Sequence, residues 1–197
     1  MCIRDSYPKQ YEEMKKFIEE GRWHIAGSSW EASDVLVPSV EASIRNIMLG
    51  QTYYRQEFGK EGTDIFLPDC FGFGWTLPTI AAHCGLIGFS SQKLDWRNHP
   101  FYGKSKHPFT IGLWKGIDGK QVMLAHGYDY GRKWNNEDLS KNKDLEKLAQ
   151  RTPLNTVYRY YGTGDIGGSP TLGSVRSVEQ GLSLIHISEP TRLQLIS

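Results

Sequence analysis

Short apolar runs alternate with amphipathic stretches along this chain, and that alternation constrains its fold more than any other feature. Residues 8–20 set Tyr11, Met14, Phe17 and Ile18 at helical spacing among Glu and Lys, and Gly21 stops the pattern. Residues 22–26 form a short apolar run closed by Gly27, Ser28 and Ser29, which reads as a buried strand and a loop. Pro38 opens a second helical stretch in which Val40, Ile44, Ile47 and Met48 share a face that continues to Tyr54 and Phe58 before Gly59. A strand is expected at residues 64–67, a helix at 76–84 stopped by Gly85, and a third strand at 86–89. Within residues 109–125, two apolar runs flank Ile117-Asp118-Gly119, a hairpin signal. Residues 137–150 read as a surface helix, 157–161 as a fourth strand, and 171–180 as the helix after it.

Strands alternating with helices in this way imply an α/β fold of βαβ units around a parallel sheet. About four βα units and a β-hairpin insertion are expected. A closed eight-fold barrel takes roughly 250 residues. The 197 residues present predict an incomplete parallel (β/α) barrel with unpaired sheet edges.

Composition narrows the partners. A formal net charge of +1 argues against a broad nucleic-acid surface. No run approaches the roughly 20 apolar residues of a membrane span. Cys2, Cys70 and Cys84 are too few and too irregular for a disulfide framework or a zinc ribbon. Residues 1–6 and 182–197 resemble translated sequencing-adapter sequence, so the fold is expected within residues 7–181, an internal slice of a longer polypeptide. Compartment therefore stays open.

Polar groups collect after each expected strand. Ser28, Ser29, Trp30, Glu31 and Asp34 follow the first, Asp69 the second, Gln92, Lys93, Asp95 and Trp96 the third, and Asp165 the fourth. In a parallel barrel these positions converge on one face, where the chemistry is done. Asp69 ends the run Ile65-Phe66-Leu67 and has no evident packing role, because an ionised Asp is rarely buried without a partner. The alternative is a carboxylate that caps the following turn or helix. Asp165 lies in Gly162-Thr163-Gly164-Asp165-Ile166-Gly167-Gly168, where glycines allow close approach to a ligand. A sugar-site acid, a surface turn and a phosphate-binding loop all fit that segment. Paired carboxylates with aromatics suit a carbohydrate and the cleavage of a glycosidic bond.

Several ordered motifs then match one family. They are Gly21-Arg22-Trp23, Gly27-Ser28-Ser29-Trp30-Glu31-Ala32-Ser33-Asp34, Pro38-Ser39-Val40-Glu41-Ala42-Ser43-Ile44-Arg45 and Gly50-Gln51. Phe66-Leu67-Pro68-Asp69-Cys70-Phe71-Gly72, Gln92-Lys93-Leu94, Trp114 with Gly116-Ile117-Asp118-Gly119, and Tyr161-Gly162-Thr163-Gly164-Asp165 complete the set. From about Tyr11 to Gly181 the chain resembles the N-terminal catalytic domain of glycoside hydrolase family 38, the α-mannosidases, and looks closest to the bacterial branch. The resemblance implies hydrolysis of α-mannosides, as oligosaccharides or glycans, with retention of configuration. It implies that Asp69 is the nucleophile and also a zinc ligand, and that Asp165 is the general acid/base. It implies substrate contacts from Trp30, Asp34, Lys93 and Tyr128, with Asp129 beside them.

The family's zinc site also uses a His-x-Asp pair and a further His, and His24, His83, His99, His107 and His126 do not match those positions. Zinc takes about four ligands, so the chain is expected to be an inactive fragment of an active enzyme. The alternative is a noncatalytic carbohydrate-binding module, which would bind mannose without those ligands.

Overall fold

The computed structural model describes residues 3–94, 110–127, 133–134, 137–152, 155–164 and 168–188. Helix α1 (Ile3–Ser6) leads into α2 (Pro8–Glu19), whose Tyr11 and Ile18 are buried. Helix α3 (Val40–Phe58) begins two residues later than Pro38 suggests, because Ser39 is its cap and accepts the Ala42 N–H at 3.2 Å. It ends where Gly59 turns left-handed, with φ of 63°. Strand β1 (Asp64–Phe66), helix α4 (Thr76–His83) and strand β2 (Gly88–Ser91) follow. Strands β3 (Ile111–Lys115) and β4 (Gln121–His126) form the expected hairpin. A 3-10 turn (Leu139–Lys141), α5 (Lys143–Ala149) and α6 (Leu172–Ser188) complete the described elements. None of the described helices is long and apolar enough to cross a membrane.

Among the described residues the sheet has four strands, in the order β1-β2-β4-β3. β1, β2 and β4 run parallel, and β3 is antiparallel to β4. The hairpin is thus no appendage: β4 pairs with β2 from Gly88↔Met123 to Ser91↔His126. The cause is burial. Ile65, Phe89 and Leu124 stand in register on one face, joined by Val122, and pack under Ile47 of α3 and Leu77, Ile80 and Ala81 of α4. Each large apolar side chain buried in this way contributes about 1.5–3 kcal/mol. The opposite face carries Phe66, Ser90 and Met123, and Phe66 and Met123 stay partly open to solvent. An open sheet with one helix-covered face is the expected incomplete barrel.

Two expected strands do not form. Beside β1, the Gly27 N–H and the Ser28 hydroxyl donate to the side chain and the carbonyl of Asp64, so residues 22–26 lead into side-chain clasps and no ladder. Residues 157–161 run without ladder pairing, held by aromatic contacts in place of backbone pairs.

The loop after residue 27 is seated on α3. Gly50 lets it cross: a Cβ there would lie 2.2 Å from the Ser28 carbonyl oxygen. Gln51, buried beside it, donates to the Gly62 carbonyl at 2.7 Å and accepts the Gly62 N–H at 2.9 Å. That exchange fixes α3 against the approach to β1 and satisfies a buried peptide group. At the other end of the core, Asp118 of the hairpin turn accepts from the Thr79 hydroxyl and the Lys120 N–H and pairs with His83.

Candidate active site

Asp69 and Lys93 leave adjacent strands side by side. Beyond β1 and β2 the backbone pairing continues, with the Leu67 N–H donating to Ser90 at 3.0 Å and the Gln92 N–H to Pro68 at 3.4 Å. The two loops therefore depart together at the carboxyl ends of the strands. The Lys93 ammonium meets the Asp69 carboxylate at 2.8 Å and lies 4.7 Å from the centre of the Phe71 ring. The Lys93 amide is tied to the buried Ser91 hydroxyl at 3.1 Å.

The Asp69 carboxylate is half-exposed, at 54%. It caps no helix: α4 has Trp75 at its cap position, with no side-chain cap bond. The helix-capping reading of Asp69 is therefore not supported, and its Oδ1 is the oxygen that meets Lys93.

Asp34 sits close by. Its carboxylate accepts the Leu36 N–H at 2.8 Å in a local turn. The Cys70 thiol reaches the Ser33 carbonyl at 3.3 Å. Burial first, then the charges of Asp34 and Asp69, pushes that thiol above its ordinary value. Gly72, with φ of 93°, lets Leu36 seat: a Cβ there would lie 2.4 Å from its Cδ1.

Trp30 packs on α3. Its indole meets Tyr53 edge-on at 5.3 Å, with Glu31, Gly50 and Tyr54 around a cleft of about 230 Å³. Asn46 holds this loop by donating to the Glu31 carbonyl and accepting its N–H, both at 2.9 Å.

Asp165, Tyr128, Asp129, Asp95 and Trp96 lie outside the described residues. The segment leading toward Asp165 is described, and it comes to the same end of the sheet. Tyr160 packs against Phe66 with ring centres 5.9 Å apart. A Cβ on Gly127, just past β4, would fall 2.2 Å from the Tyr160 ring, so only glycine admits it. Burial, then the neighbouring Tyr158, pushes the Tyr160 phenol well above its ordinary value. The Thr163 hydroxyl bridges the glycine-rich loop to the Ser169 carbonyl at 3.0 Å.

Among the described residues, no three His, Cys, Asp or Glu side chains converge as a metal site. Asp69 offers one donor where zinc takes about four, so the described residues do not by themselves fit the ion.

Sequence reasoning missed Asn46, Phe71, Gly127 and Tyr160 as shaping residues. Phe71 stood inside a motif already singled out and Tyr160 inside the expected strand 157–161, and Gly127 comes two residues after an apolar run, where a close approach could have been read. Asn46 carries no such signal.

The chain matches the profile described as "Glycosyl hydrolases family 38 N-terminal domain" over residues 3–181. It is 32% identical to Alpha-mannosidase G of Dictyostelium discoideum, over 96% of this chain and 17% of that protein. It is 30% identical to Alpha-mannosidase 2C1 of Homo sapiens, over 97% of this chain and 18% of that protein. The chain thus spans less than a fifth of these relatives. An alpha-mannosidase from Enterococcus faecalis V583 shares the fold with a TM-score of 0.56 and 16% identity, over 95% of this chain and 21% of that one. A 4-alpha-glucanotransferase from Thermococcus litoralis does so with a TM-score of 0.59 and 15% identity, over 91% and 28%. The chain belongs to glycosyl hydrolase family 38 and matches the family's N-terminal domain over residues 3–181.

Proposed function

We propose that this chain carries the nucleophile, Asp69, and the general acid/base, Asp165, of a retaining α-mannosidase acting on α-mannoside oligosaccharides or glycans. One observation supports the reading above the others. In a chain of family 38, a half-exposed carboxylate stands past the carboxyl end of β1, beside a lysine from the loop after β2, and it does not cap α4. Carboxyl ends of parallel strands are where such folds do chemistry.

In the first step a carboxylate oxygen of Asp69 attacks the anomeric carbon. The glycosidic C–O bond breaks, its electron pair leaves with the aglycone oxygen, and Asp165 gives that oxygen a proton. Water then cleaves the glycosyl ester with Asp165 acting as base. Retention requires the two carboxyl groups about 5–5.5 Å apart. Asp34, Trp30 and Tyr128 are proposed to contact substrate.

Zinc stays part of the proposal. Asp69 would supply one ligand, the others would come from outside the described residues, and the ion would bind substrate hydroxyls. The chain alone is accordingly proposed to be inactive. In the full-length parent, Asp69→Ala should abolish turnover of an aryl α-mannoside. Near-normal activity in that variant would sink the assignment.

A further inference from the structure

Among the described residues Asp69 has one ionic partner, Lys93, and the pair is unequally buried. The Lys93 side chain is 19% exposed and the Asp69 side chain 54%. A lysine that reached out for a ligand would be the more open partner of the two. Here the cation is the sheltered group and the carboxylate the presented one. The Phe71 ring contributes to that shelter, 4.7 Å from the ammonium. Phe71 belongs to the same loop as Asp69, so one loop supplies both the acceptor and the platform for its partner. The Ser91 hydroxyl on the Lys93 amide fixes where the lysine stem starts. A half-exposed pair adds little to stability, so its main consequence is orientation.

We infer that Lys93 is a positioning residue for Asp69, seated on Phe71, and that it is not a substrate contact. The ammonium holds Oδ1, and Oδ2 is left turned toward the anomeric carbon. This inference rests on Asp69 being the nucleophile. Misplacing a reacting atom by about 1 Å can cost on the order of 100-fold in rate.

The test uses the full-length parent enzyme. It measures kcat and KM on an aryl α-mannoside. It also measures the rate at which a fluorinated α-mannosyl fluoride, whose second step is slow, labels the protein. Lys93→Met should lower kcat and the labelling rate together by about 100-fold, with KM nearly unchanged, as expected when only the reacting geometry is lost. Lys93→Arg should recover most of that loss. Phe71→Leu, which keeps both charges, should give a smaller loss in the same two quantities. A rise in KM with kcat intact in Lys93→Met would make Lys93 a substrate contact and overturn the inference. Wild-type values in both would overturn it as well. If Lys93→Met fails to fold, Phe71→Leu decides alone, and unchanged labelling there refutes the seat. Label on a residue other than Asp69 would refute the proposed nucleophile instead, so the two failures are distinguishable.

Discussion

Gly50→Ala sets two physical effects against each other. Gly50 lies inside α3, where alanine is the better helix former by about 1 kcal/mol. Propensity alone therefore predicts a more stable protein. The surroundings oppose it. The new Cβ would stand 2.2 Å from the Ser28 oxygen and 2.8 Å from both the Ser29 carbonyl carbon and the Trp30 nitrogen. All three atoms are backbone, so no flexible side chain can swing aside. The crossing loop must lift, at about 1–3 kcal/mol for overpacking. Lifting it strains the Trp30 N–H bond to the Asn46 carbonyl, now 3.0 Å, a bond contributing about 0.5–1.5 kcal/mol. Setting about 2 and about 1 against the propensity gain leaves a net loss of about 2 kcal/mol. At about 2–4 °C per kcal/mol for a chain of this size, Tm should fall by about 4–8 °C. Thermal unfolding followed by circular dichroism gives the answer. A Gly50→Ala variant as stable as the parent, or more so, would refute the close crossing of the loop over α3.

The same logic applies to Gly127→Ala, which should destabilise by about 1–3 kcal/mol through the Tyr160 ring. Tyr160→Leu in the same chain should relieve part of the loss, and a denaturant double-mutant cycle with no coupling would contradict the contact. Asp118 gives a pH signature. Partial burial pushes its carboxyl up, but hydrogen bonds from Thr79, the Lys120 N–H and His83 outweigh this and hold it below the ordinary 3.8. A lowered folded value means that the contribution is present above the unfolded value and is lost as pH falls from 3.8 through the folded one. Asp118→Asn should therefore flatten that acid limb of stability, and an unchanged limb would exclude Asp118 as its source. Asp64 should show the opposite sign. Burial raises its carboxyl above the ordinary 3.8, against the Gly27 N–H that lowers it, so it costs stability as pH rises past that value. Asp64→Asn, which can still accept the Gly27 N–H, should be the more stable protein at pH 7 in urea titrations, and a loss there would contradict the reading.

Helix α3 and strand β1 were legible because periodicity is local. Ile47 and Ile65 announce their buried faces within a turn or a few residues. The place of β4 was not, since Asp118-Gly119 signals a hairpin but says nothing of β2 as a distant parallel neighbour. Residues 22–26 and 157–161 have strand-like composition without ladders, because pairing needs a partner edge and composition does not supply one. Asp69 could be read as an exposed acid at a strand end. Its pairing with Lys93 could not, because it depends on the β1–β2 register carried past Phe66 and Ser91.

As the proposed nucleophile, Asp69 would form a covalent bond to the sugar. The direct measurement traps the full-length parent with a fluorinated α-mannosyl fluoride, digests it and locates the added mass. One sugar mass is expected on the peptide that contains Leu67-Pro68-Asp69-Cys70, fragmenting to Asp69. Label on any other carboxylate, or turnover that inverts the anomeric configuration without trapping a sugar, would contradict it.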